Sequence, residues 1–163
     1  MTKNIAFYGV FASIAIVIAY IERLFPIPIP LPGIKLGLAN VAVIIMLYIS
    51  GTKAAFSIST IRIIVVGFLF GSIFSMAYSL AGGILSFLAM CGAKKIRVFG
   101  IVGVSVIGGV SHNIGQIAIA AAIVQHTGLF YYSPALIIAG VVTGGLIGYV
   151  GGITIRHLKN IGR

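Results

Sequence analysis

The stretch Glu22–Asn40, ERLFPIPIPLPGIKLGLAN, interrupts an otherwise apolar chain. It holds the one acidic residue, Glu22, two cations, Arg23 and Lys35, and four of the five prolines, Pro26, Pro28, Pro30 and Pro32. Alternating prolines cannot continue a helix and favour extended, stiff backbone. Long apolar runs flank the stretch on both sides, so it reads as a lid-like loop between two membrane helices.

The 163 residues are 60% hydrophobic and only 7% charged. Soluble domains carry about 25% charged residues, and a globule with so few could not keep its surface wet. The chain therefore reads as an all-α integral membrane protein, a single domain over residues 1–163 with about six spans of roughly 20 residues each. Apolar runs and turn residues place the helices at about 5–21, 36–50, 54–70, 73–90, 99–124 and 134–155, with a gating loop at 22–35. Gly51 and Gly71–Ser72 mark turns, and 92–97 reads as a polar loop. The N-terminal apolar run continues to Ile21 without a small-x-small cleavage pattern, and is read as a first membrane helix.

The net charge of +10 would suggest nucleic-acid binding in a soluble protein. Here the cations sit between apolar spans and lack aromatic partners, so that reading is rejected. With six spans, Lys3, Lys53, Lys94, Lys95, Arg97, Arg156, Lys159 and Arg163 share one side, and only Arg23 and Lys35 lie on the other. By the positive-inside rule both termini are expected in the cytoplasm and the lid outside it. Arg23 and Lys35 are then unexplained by topology, which points them toward a ligand.

The single cysteine, Cys91, excludes an internal disulfide and argues against a thiolate metal site. No P-loop motif is present. One carboxylate cannot form an acid–base pair, a triad or a Mg²⁺ clamp on a diphosphate. The chain is expected to be no enzyme and to carry no cofactor or metal, so any ATP hydrolysis would belong to another protein.

Arg62 lies within the third span. A central arginine costs at least about 2.5–3.5 kcal/mol on insertion scales, so it should face protein or a watery cavity. It is either an anion-binding residue or a partner for Glu22 and freed carbonyls. In the fifth span GGVSHNIGQ, residues 108–116, supplies Ser111, His112, Asn113 and Gln116, the last three assigned by spacing to one face. They either bond neighbouring helices or wall a pocket. His112 has no acid in the later spans to relay a proton to. Asn40, early in the second span, joins Lys35, Arg23, Arg62, His112, Asn113 and Gln116 as a basic, amide-rich lining. With phenylalanine, tyrosine and aliphatic residues around it, such a lining suits an anionic small molecule with an apolar or aromatic body.

Two stripes of small residues concern helix contacts. Gly9 with Ser13 and Ala15 with Ala19 on the first span serve internal packing or docking to a separate membrane subunit. Gly140, Gly144, Gly148 and Gly152 on the last span form a flat ridge for close helix packing.

PGIKLGLAN (residues 32–40), GGVSHNIGQ, STIRIIVVGFLFGS (59–72) and Tyr20-Ile-Glu22 resemble a bacterial family called Gx transporters, also labelled heptaprenyl diphosphate synthase component I. That family is in turn similar to the substrate-binding S components of energy-coupling factor (ECF) transporters. The resemblance implies a six-helix S-component-like bundle in the bacterial cytoplasmic (inner) membrane, with a pocket near the outer face. Pro32, Gly33, Ile34 and Lys35 would gate it. Ala15 and Ala19 would dock on a transmembrane coupling subunit attached to ATPases.

Three functions follow as expectations. The first is a substrate-binding component of an ATP-driven uptake system. The second is a non-catalytic membrane subunit in isoprenoid or quinone precursor metabolism. The third is a small autonomous carrier or electron-transfer partner. Prenyl diphosphate synthesis by this chain itself is excluded chemically, because such enzymes hold Mg²⁺ on aspartates and the chain has none.

Overall fold

The computed structural model describes residues 2–24 and 37–161, with the backbone alone at residues 2–4, 23 and 161. Six α-helices follow one another: α1 (Thr2–Leu24), α2 (Asn40–Ile49), α3 (Thr52–Phe70), α4 (Ile73–Ile96), α5 (Ile101–Val124) and α6 (Ser133–Ile161). A 3₁₀ helix, Thr127–Tyr132, joins α5 to α6. No strand occurs among the described residues. Five of the helical segments are long and apolar enough to cross a membrane, so the chain is an all-α, multi-pass membrane protein.

The second predicted span is corrected. The sequence places a helix at 36–50, but α2 has ten residues. It is about 15 Å long, half of a hydrocarbon core about 30 Å thick. The cause is the tight turn before it. Gly37 has φ +66°, a left-handed conformation that glycine adopts without steric cost. Asn40 N–H then donates to Gly37 C=O at 2.7 Å and Val41 N–H to Leu38 C=O at 3.0 Å. These three-residue turns delay the α-helical ladder to Asn40.

The polar segment 92–97 is corrected as well. It continues α4 as far as Ile96, and the chain turns at Arg97 with φ 58°. Lys94 and Lys95 fall in the last helical turn, where cations complement the exposed carbonyls. The turns at Gly51 and Gly71–Ser72 occur where the sequence puts them. Gly51 has φ +92°, and the Ser72 hydroxyl accepts from Ser75 N–H at 3.1 Å to cap α4.

The helices close into a bundle in which α1, α3, α4, α5 and α6 each pack on the next, and α2 touches α1, α3 and α6. Six consecutive residues of α2, Ala42–Leu47, are buried. A run that long covers every face of a helix, so α2 is the centre of the bundle. Ala15, Ala54, Ala55, Ile58, Met90, Val104 and Ile147 surround it. On α6, a Cβ at Gly140, Gly144 or Gly148 would fall within 3.0 Å of the α5 backbone, whereas Gly152 has only Ile101 at 3.9 Å. The ridge thus brings two backbones together along three positions and opens at the fourth. Outward faces are apolar, and Phe130, Tyr131 and Tyr132 of the 3₁₀ helix are exposed, as expected of aromatic residues at a membrane interface.

Candidate anion site

Arg62 stands about 15 Å along α3 from Thr52, and Asn40 stands the same distance along α2 from its far end. The two helices are antiparallel and joined at Gly51, so the first turn of α2 is level with Arg62. The half-length of α2 therefore brings a helix N-terminus to mid-depth in the bundle. Such an end carries the equivalent of about half a positive charge. Backbone broken at membrane depth is tolerated only where protein buries it or a cavity meets it.

Glu22, at the end of α1, closes this cluster. Its Oε1 accepts a hydrogen bond from Gly37 N–H, at the entry to α2. Its charge also acts on the Arg62 guanidinium. Arg62 is 9% exposed, and its Nε finds no hydrogen-bond partner among the described residues. One carboxylate thus sits at a helix N-terminus that is level with a buried guanidinium. The Asn40 side chain lies beside Gly37, with Ile147 of α6 across from it.

The other predicted lining residues separate. His112 and Gln116 pack on Gly82 of α4, where a Cβ would fall within 3.0 Å of both side chains. Asn113 turns the other way, and its Nδ2 donates to Leu136 C=O of α6 at 2.7 Å. Successive helical residues point about 100° apart, so His112 and Asn113 serve different neighbours, which corrects the single shared face. Arg62 and Asn40 thus lie at similar depth along α3 and α2, while the α5 amides divide between α4 and α6.

Lys35 and the gate residues Pro32, Gly33 and Ile34 lie outside the described residues, as does the side chain of Arg23. The α1 stripes divide as well. Gly9 and Ser13 are exposed and Ala19 is half-buried, whereas Ala15 is 0% exposed in the core. Ala15 therefore packs internally and is removed from any docking face.

Three contributions escaped the sequence reading. Gly37 turns the chain so that its N–H meets Glu22. Gly82 opposes Gly115 closely enough for two helix backbones to touch. Lys94 donates from Nζ to Leu47 C=O and lies 4.8 Å above the Tyr48 ring. The half-helix α2 is thus closed by an anion at its positive end and a cation at its negative end. A glycine shortly before a polar helix start, and a lysine in a final turn, were the available signals. A cleft lined by Thr127, Gly128, Phe130 and Tyr131 lies at the α5–α6 connection, apart from all these residues.

A family model described as heptaprenyl diphosphate synthase component I matches residues 11–154. No curated protein matches the chain, and no solved structure does.

Proposed function

We propose that this chain, which belongs to the heptaprenyl diphosphate synthase component I family, is a solute-binding membrane component of an ATP-driven uptake system of the ECF type. The solute is a small anion with an apolar or aromatic body. The observation that carries this reading is Arg62, buried at mid-depth level with the N-terminus of a half-length helix. Broken helices whose N-termini point at anionic groups near the bilayer midplane are a recurring binding arrangement in transporters.

The chain binds and does not catalyse, because its single carboxylate supplies neither a proton-transfer pair nor a metal clamp. It has no P-loop, so a coupling subunit and ATPases provide the energy. Both termini face the cytoplasm of a bacterial cell.

Native mass spectrometry of the gently purified protein tests this reading. The expected spectrum shows a retained anionic small molecule together with a coupling subunit and ATPases. Arg62→Gln loses the small molecule and keeps the partners. The family description favours a second reading, a non-catalytic subunit of a prenyl diphosphate synthase. A spectrum showing a soluble, aspartate-rich synthase and no small anion would establish that reading instead.

A further inference from the structure

Glu22 is the one acidic side chain of the protein, and it is placed where an anionic solute would go. Its carboxylate accepts from the backbone N–H at the entry to α2, and the first turn of α2 is level with the buried guanidinium of Arg62. A phosphate or carboxylate would be drawn to the same two groups, by the same helix-end field and the same guanidinium. Arg62 is 9% exposed with Nε unpartnered among the described residues, so the guanidinium keeps donor capacity that Glu22 leaves unused.

Resting on the solute-binding reading above, we infer that Glu22 is a resident anion, and that an incoming phosphate or carboxylate exchanges with it at Arg62 and the α2 N-terminus. The charges favour exchange, most strongly for a phosphate dianion. One guanidinium and about half a unit from the helix end are offset by one carboxylate. A phosphate dianion beside Glu22 would leave the cluster about 1.5 units negative in a low-dielectric interior, where uncompensated charge is costly. With Glu22 swung away, the cluster is again near balance. The empty site is thereby held closed by a group of the chain itself, and only a ligand able to replace a carboxylate opens it. Glu22 ends α1 and adjoins the segment 25–36, so its release also frees the end of α1 from the entry to α2.

The probe is phenyl phosphate, added to purified protein in neutral detergent, with binding read by calorimetry. The expected result is a half-saturation at least tenfold lower for Glu22→Gln than for wild type, because the amide keeps an acceptor for Gly37 but loses the competing charge. A wild type without detectable binding beside a Glu22→Gln protein that binds is the same result in stronger form. Arg62→Gln is expected to lose binding.

A second readout needs no variant. Glu22 is the one side-chain carboxyl, so its carbodiimide labelling can be followed by peptide mass spectrometry. Saturating phenyl phosphate is expected to raise that labelling severalfold. Repeating it in phosphatidylglycerol and phosphatidylcholine vesicles separates a lipid headgroup from a free solute. A rise with the anionic lipid alone supports the exchange and makes the headgroup the source.

Equal or weaker binding by Glu22→Gln, or unchanged labelling in saturated wild type, overturns the exchange. The solute-binding reading then stands if Arg62→Gln still loses binding. Binding by neither wild type nor Glu22→Gln, or undiminished binding by Arg62→Gln, overturns both.

Discussion

Asn113 and Gln116 are three positions apart on α5, yet each answers to a different neighbour. Asn113 donates to Leu136 C=O on α6, while Gln116 lies against Gly82 of α4. Asn113→Ala should therefore lower stability by about 1 kcal/mol, the usual size of a helix–helix hydrogen bond in a membrane, and leave phenyl phosphate binding unchanged. Reversible denaturation in mixed micelles would measure the first and calorimetry the second. Charge sets a larger effect at Glu22. Glu22→Gln removes the negative charge from the α2 N-terminus, near Arg62, and should cost about 1–2 kcal/mol, the scale of a partly buried charge at a helix end. Adding Arg62→Leu should return most of that loss, because a pair removed together leaves no charge behind. Costs that simply add, with Arg62→Leu measured alone beside the double variant, would show that the two residues are not coupled.

Among the elements, α2 and the α5–α6 pair are held by different physics. The α2 helix is too short to be stable from its own hydrogen bonds, so it relies on burial along Ala42–Leu47 and on opposite charges at its two ends. Lys94→Met keeps the aliphatic stem and removes the bond to Leu47 C=O. It should destabilise the protein by about 1–2 kcal/mol, as expected for a charge-assisted hydrogen bond at a helix C-terminus. The α5–α6 pair depends on absent side chains. A Cβ on Gly144 would sit 2.8 Å from Ser105 O and Val106 Cα, whereas the adjacent Gly145 has nothing within 4 Å. Gly144→Ala should cost about 1–3 kcal/mol through overpacking, and Gly145→Ala should be neutral or mildly stabilising by the same denaturation assay. Equal effects at the two positions would contradict the observed helix contact.

At the scale of the whole molecule, the charge bias leads to one expected orientation, with the cationic helix ends in the cytoplasm. Lys94 meets the C-terminal end of α2, so the cationic ends of α4 and of the α2–α3 hairpin lie together. Cysteine labelling can test which side they face. In a Cys91→Ala background, Thr127→Cys in the 3₁₀ connection should react with an impermeant maleimide in intact spheroplasts, and Lys53→Cys should react only after lysis. The reverse pattern would invert the topology and place the Arg62 cluster's mouth toward the cytoplasm.

The amino-acid sequence determined the membrane class, the helix number and the turns at Gly51 and Gly71–Ser72, because these follow from apolar run length and from glycine and serine chemistry along the chain. It also singled out Arg62, since a charge within an apolar run must have a reason to be there. It did not reveal that α2 is half a span, because Leu36–Asn40 is as apolar as a helix start and only the Gly37 conformation interrupts it. It grouped the amides of α5 by spacing, whereas the tertiary structure divided them between α4 and α6. The tertiary structure also showed what Glu22 touches. Along the sequence it is a lone acid ending a helix. In space its carboxylate meets Gly37 N–H at the entry to α2, because only folding brings residues 22 and 37 together.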